Sequence, residues 1–459
     1  QLKKTYKMKL VFISIIFTLI STAGISQDKA YISTKKAVAD INYMIKTIEE
    51  IHYNPYFKIE KEQFNENKDE LLNKFDKDSI SLKKFMSTGM KLAAQMSGGH
   101  TSMDWQNKSL FPELMLYEFI PFTGKLSNDN QHLIVTRSAT QDIKKGTLIK
   151  SINGIRVVDL YKECMSYIGG IESFKNVTCE KVFPLYSFFT DMISAPYSIE
   201  LSNIEKELKI TGLDVSKLNT FISQDQQKEN YIFEIVKDDI GLISYNSCTD
   251  YEVFKEFLEN TFNEIKEKNI NKLIIDIREN SGGDSRLNDL LLSYITTIPY
   301  RQSSGRYWKV STQAKLAYKN KGGYEKIFGK EFMKLYDESE ELSIIESFDD
   351  ALIQPKKPRN YFTGKTCFLI GPSTFSSANF LADAIKTYKL STLIGSATGE
   401  LTNDFGELID FTLPNSGNYI YVSSTYDIGA NGNPNLYEPV YPHIKTEENA
   451  LLYSLDWIK

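Results

Sequence analysis

Apolar residues recur along this chain in three successive rhythms. Between residues 29 and 110 they keep close to the helical period, at Ile41, Met44, Ile45 and Ile48, then at Phe64, Leu71, Leu72 and Phe75. Ser79-Ile80-Ser81 interrupts, and a further helix is predicted over 82–96. It ends in Ser97-Gly98-Gly99-His100-Thr101, where glycines allow backbone angles that other residues resist. From 114 to 215 short β-type runs and turns take over. Beyond about residue 230 the apolar runs lose their alternation: 240–245, 272–277, 366–370 and 393–395 read as strands buried on both faces. Helical stretches at 251–268, 287–295 and 377–388 separate them and predict βαβ crossovers in an α/β core. The charged stretch 300–360 is predicted to be an irregular excursion over the site.

Ahead of these lies a different pattern. Lys3, Lys4, Lys7 and Lys9 precede an apolar run over 10–20, and Ser21-Thr22-Ala23-Gly24 follows. That order of basic, apolar and small residues is a secretory signal, and the run is too short to span a bilayer. The expected mature chain is exported, to the periplasm or the extracellular space, with no stable membrane span. Losing the four lysines leaves 50 basic against 59 acidic residues, a balance of −9 that gives no reason to seek nucleic acid. The expected units are 1–27 (signal with upstream residues), 28–112 (helical), 113–225 (β-rich) and 226–459 (α/β core).

In the β-rich unit, Leu148-Ile149-Lys150-Ser151-Ile152 and Ile155-Arg156-Val157 flank Asn153-Gly154, a strong hairpin turn. The stretch resembles a segment of PDZ domains, with Thr147 where Asp is usual. A peptide-binding module and a β-rich insertion without a ligand both fit it. Cys164, Cys179, Cys248 and Cys367 have no metal-like spacing, and buried thiols are favoured over disulfides.

Two motifs carry chemistry. Asp276-Ile277-Arg278-Glu279-Asn280-Ser281-Gly282-Gly283-Asp284-Ser285 runs from a buried strand through a Gly-Gly turn to a helix. Such a turn brings backbone N–H groups close to an anion, and without Gly-Lys-Ser/Thr an oxyanion hole suits it better than a phosphate loop. Gly371-Pro372-Ser373-Thr374-Phe375-Ser376-Ser377-Ala378 follows a second strand and opens a helix. Ser376 there is either a nucleophile exposed at the sheet end or a helix N-cap, and the motif alone fits both. A serine needs a base, and the histidines are His52, His100, His132 and His443. His132 reads as solvated surface, His52 as packing, and His443 stays open. His100, beside the Gly-Gly pair, is exposed by geometry.

Together these residues resemble the C-terminal-processing (tail-specific) peptidases of family S41, which include the tricorn core protease. Asp276 to Ser285 is similar to their "D-x-R-x-N-x-G-G", and Thr374-Phe375-Ser376-Ser377-Ala378 to "T-F-S-S-A-E". Thr392 to Gly399 is similar to "a-x-x-I-G-x-x-T-x-G", Ser97 to Thr101 to "D-G-H-T", and Glu438 to His443 to "E-x-x-G-V-x-P-D". The resemblance spans about residues 40–450. It implies an α/β, ClpP/crotonase-like S41 catalytic core with an N-terminal helical region and an inserted PDZ-like β-rich domain. It further implies a serine endopeptidase acting on unfolded or C-terminal polypeptide segments, without cofactor or metal.

The lysine of the family's Ser–Lys branch would fall at Leu401, so the Ser–His branch is implied. Ser376 is then the nucleophile, His100 the base and Glu438 the acid, with Gly282, Gly283 and Ser377 as oxyanion donors. Asn379 stands where the family has Glu, and His443 where it has Asp. Were Glu438 only a surface carboxylate, His443 could fill part of the site. A non-catalytic module holding an apolar ligand or peptide on the same fold is the alternative function. The substrate sequence and oligomeric state are not legible.

Overall fold

The computed structural model describes residues 30–459 apart from 97, 203, 224–228, 322–323 and 447–448. The expected signal segment therefore lies outside the described residues. Helices Thr34–Ile51, Lys61–Leu72 and Leu82–Gln95 build the N-terminal region. The Ser33 and Ser81 hydroxyls accept from the amides of Lys36 and Lys84, each satisfying an orphan donor of a first helical turn. Ile41, Met44, Ile45 and Ile48 are buried as their spacing predicts.

Strands Phe122–Leu126, Leu133–Ser138, Leu148–Ile152, Tyr197–Leu201 and Ile204–Ile210 form the sheet of the inserted unit, in that order. At the hairpin, Asn153 (φ 51°) and Gly154 (φ 76°) both take the left-handed region, as an Asn-Gly turn requires. Two helices, Val157–Met165 and Glu172–Phe189, stand where short strands and turns are predicted. The second contains Pro184 and a cluster of Phe residues buried on several sides, which blurs its periodicity.

The core sheet follows the order Tyr231–Lys237, Ile240–Tyr245, Lys272–Asp276, Lys365–Ile370, Thr392–Gly395, Ile444–Lys445. From Ile240 onward every pairing is parallel. Helices Tyr251–Glu267, Arg286–Ile295 and Ser377–Tyr388 supply crossovers, as the uninterrupted apolar strands demand. The stretch 300–360 is more regular than expected. Its strands Ser303–Lys309 and Ile344–Phe348 join Asp404–Thr412 and Tyr419–Gly429 in a second, antiparallel sheet. Helices Thr312–Lys321 and Lys330–Glu338 lie between them. Trp308, buried among Tyr318, Phe328, Phe332 and Tyr336, supplies the apolar contact that orders this stretch despite its charge. The second sheet also takes in Ser102–Met103, paired with Tyr421 and Ile420. That pairing ties the end of the N-terminal region to the core.

Candidate active site

Strand Lys365–Ile370 runs into a turn held by Thr374, whose hydroxyl donates to Ile277 O (2.9 Å) and accepts from Gly371 N (3.1 Å). Phe375 N donates to Asn280 O (3.0 Å), so the two motifs are sewn together along their main chains. Ser376 follows at φ 53°, ψ −125°, a conformation that costs a non-glycine residue roughly 1–3 kcal/mol. It stands before helix Ser377–Tyr388, but its side chain makes no capping hydrogen bond. The hydroxyl is thus left free of the structural duty that a serine at this place usually performs.

The Gly-Gly turn packs directly on this serine. Gly282 has φ 95°, and a Cβ there would lie 2.6 Å from Ser376 Cβ; Gly283 has φ 134°, and its Cβ would meet Cys248 O at 2.2 Å. Both must be glycine for the loop to approach so closely. Ser377 Oγ donates to Gly283 O (2.6 Å), closing the contact. Gly282 N is already committed to Asn280 Oδ1 (2.9 Å). The amides of Gly283 and Ser377 have no acceptor among the described residues, and they flank the serine.

His100 enters from the N-terminal region. Gly98 lies against Asp404 Oδ1, Gly99 against the Phe375 ring, and Gly169 of the inserted unit against Gly98 O, so a Cβ on any of the three would collide. The His100 ring sits 4.7 Å from that of Phe375. Its Nδ1 stands 3.1 Å from Glu400 Oε1. This is a charge contact rather than an in-line hydrogen bond, because the ring N–H does not point along it. The other oxygen of the same carboxylate accepts from Ser376 N at 2.5 Å. One buried carboxylate therefore faces both the histidine ring and the serine's main chain.

The expected acid, Glu438, does not reach His100. Its side chain is exposed, and only its main-chain carbonyl is engaged, accepting from Thr402 N (2.7 Å) and Oγ1 (2.8 Å). Glu400, missing from the residues singled out in sequence, is the carboxylate that stands beside His100. Its signal was a lone carboxylate directly after Thr398-Gly399, in a stretch otherwise small and apolar. Asn379 explains how it is held: Nδ2 donates to Leu401 O (2.7 Å), pinning the Glu400 segment against the nucleophile helix. The other histidines stand elsewhere. His443 Nδ1 accepts from Leu393 N (2.9 Å) at the sheet edge, and His132 faces Ser202 Oγ (3.1 Å). His52 packs on Phe405 at 4.5 Å, and burial lowers its pKa to about 3. All four cysteines are buried free thiols.

Electrostatics at the site follow from burial. Desolvation is the largest single influence on His100 and would lower its pKa, but the Glu400 carboxylate, with Asp404 and Asp427 adding to it, outweighs it and the net shift is upward. Asp404, which accepts from Phe405 N (2.7 Å), is raised to about 7 by desolvation and by repulsion from Glu400. Behind it Asp427, buried against Arg306 at 3.2 Å, is raised to about 6, again chiefly by desolvation.

Residues 239–444 match the family model for peptidase family S41. Among solved structures, the chain is similar to a point mutant of CPAF at 15% identity and TM-score 0.66, covering 90% of this chain and 93% of that one. Mature CPAF complexed with lactacystin is similar at 16% identity and TM-score 0.63, covering 90% and 94%. At these identities the likeness is one of fold. A search of curated proteins by sequence gives no match.

Proposed function

We propose that this protein, whose residues 239–444 match the model for peptidase family S41, is an exported serine endopeptidase working through Ser376, His100 and Glu400. The observation that supports this reading is the single Glu400 carboxylate facing both His100 Nδ1 and Ser376 N. With Nδ1 turned to Glu400, Nε2 is the nitrogen that takes the Ser376 proton as Oγ attacks a peptide carbonyl. Glu400 stabilises the imidazolium that forms. The amides of Gly283 and Ser377 receive the developing oxyanion, and Gly282 acts by letting the loop approach. His100 then returns the proton to the leaving amine, and water repeats the cycle on the acyl-enzyme.

Export rests on the basic, apolar and small-residue order of residues 1–27. The inserted unit is suited to steer an extended polypeptide toward the serine, since its helix Glu172–Phe189 stacks Phe174 on Phe375 at 4.4 Å. Unfolded segments are the substrate class that such an enclosed serine admits.

The test is cleavage of casein by the chain from residue 28 onward, beside its Ser376→Ala and His100→Ala variants. Both variants should remain folded and lose cleavage, and a fluorophosphonate probe should label Ser376. Undiminished cleavage by Ser376→Ala would overturn the nucleophile; an inert, unlabelled parent would favour the ligand-binding module.

A further inference from the structure

The two amides assigned to the oxyanion are backed by a buried polar network that no step of the reaction uses. Its hub is Asn288, in the first turn of helix Arg286–Ile295 and 0% exposed. Asn288 Oδ1 accepts from the Tyr245 hydroxyl at 3.0 Å and lies 3.6 Å from Cys248 Sγ. Its Nδ2 donates to Gln302 Oε1 and to Ser377 O, each at 2.8 Å. Gln302 directs its own Nε2 to Ser285 O (2.9 Å) and Asp289 Oδ1 (2.6 Å), so it offers Asn288 only an acceptor. The asparagine amide is therefore fixed in one orientation, with its donor side towards the helix that follows Ser376.

Each side of Asn288 reaches one of the two amides. Cys248, on the Oδ1 side, holds the glycine turn through its main chain: its N–H donates to Gly282 O (3.0 Å) and its carbonyl accepts from Asp284 N (2.7 Å). Gly282 O and Gly283 N belong to one peptide unit and point in opposite directions, so fastening that oxygen to Cys248 turns the Gly283 N–H away from it. On the Nδ2 side Ser377 is gripped twice, its Oγ donating to Gly283 O (2.6 Å) and its carbonyl accepting from Asn288 (2.8 Å). The spacing of the two amides is thus set by a chain of side chains and not by the helix alone. For packing, leucine has nearly the same volume and would bury no amide; an asparagine with every polar atom engaged specifies one geometry.

We infer that Asn288 is a positioning residue for the oxyanion hole: it bridges the Cys248 support of the Gly283 amide to the carbonyl of Ser377, and so sets both donors before charge develops on the substrate oxygen. This inference rests on the peptidase reading and adds to it a residue that, being fully buried, meets no substrate. Oxyanion donors gain their effect from being fixed in advance, and a misplacement of about 1 Å costs roughly 10²-fold in rate.

Asn288→Leu, which keeps the volume, and Asn288→Ala, which leaves room, test it, with folding followed by circular dichroism. In a variant that folds, kcat should fall by roughly 10–100-fold and KM should stay within about twofold. A peptidyl trifluoromethyl ketone, whose adduct with the serine Oγ carries an oxyanion, should lose affinity in the same proportion as kcat/KM. A fluorescein-labelled substrate peptide should bind equally to Ser376→Ala and to Ser376→Ala/Asn288→Leu, because no oxyanion forms in either. An unchanged kcat, or a loss carried by KM and peptide binding while the ketone keeps its advantage over the peptide, overturns the positioning role while the peptidase stands. Should both Asn288 variants unfold, Gln302→Ala, which frees Nδ2 from one of its two acceptors, should lower kcat and ketone affinity together by a few-fold, and leaving both untouched overturns the role. A parent that neither cleaves peptides nor binds the ketone removes the peptidase reading, and this inference with it.

Discussion

The segment that carries Ser376 and the segment that carries His100 reach the same carboxylate by opposite routes. Ser376 is placed by its own chain: a buried parallel strand, a turn locked by Thr374, a left-handed residue and a helix follow one another within a dozen positions. His100 is placed by strangers. Gly98 and Gly99 are pressed on Asp404, Phe375 and Phe174, and Ser102–Met103 is carried as a fifth strand by residues more than three hundred positions away. The local contacts that hold Ser376 do not depend on the domain interfaces. Those that hold His100 do, so the proposed site is complete only when the N-terminal region, the inserted unit and the core are docked.

Glu400 is where the two routes meet, and its removal should have the largest effect. Glu400→Gln keeps the shape but loses the charge that raises the His100 pKa, and kcat/KM should fall by roughly 10²–10⁴-fold. The sign can be checked in the pH profile. His100 must be neutral to act as base, so in the parent the acid limb lies above the ordinary histidine range. Without the carboxylate, desolvation dominates and the limb should move to lower pH. An unmoved limb would dismiss Glu400 as the partner.

Gly282→Ala probes the local route. Its Cβ would strike Ser376, and kcat/KM should drop by about 10²-fold with the fold retained, as circular dichroism would show. Gly99→Ala probes the remote route. Its Cβ would lie 2.9 Å from the Phe375 ring and 3.2 Å from that of Phe174. A milder loss, on the order of tenfold, is expected because the rings and the inserted helix can yield. A greater loss in Gly99→Ala than in Gly282→Ala would reverse the comparison. Glu438→Gln should change kcat/KM by less than about twofold, since its exposed carboxylate meets neither route.

The smallest effect is on stability. Asp404 is raised to about 7 in the fold, above its ordinary carboxylate value, so the folded chain binds the extra proton between the two. The raised pKa therefore carries no penalty below the unfolded value; the destabilisation grows as pH rises from there towards about 7 and levels off above it. Asp404→Asn should raise Tm by a few degrees at pH 8 and by little at pH 4. A gain confined to pH 4 would refute the assignment.

The parallel strands, their crossover helices, the Gly-Gly turn and the loop that carries Ser376 were legible from residue order. Continuous apolar runs and glycine pairs act through short-range sterics and burial, which a sequence states directly. The two helices at 157–165 and 172–189, and the order within 300–360, were not, because long-range aromatic packing there overrides local pattern. Which carboxylate faces His100 was decided by tertiary structure alone. A carboxylate becomes a partner through where it is buried and what it faces. Glu400 and Glu438, 38 positions apart and alike in chemistry, differ only in that one is folded inward onto a histidine and the other outward to water.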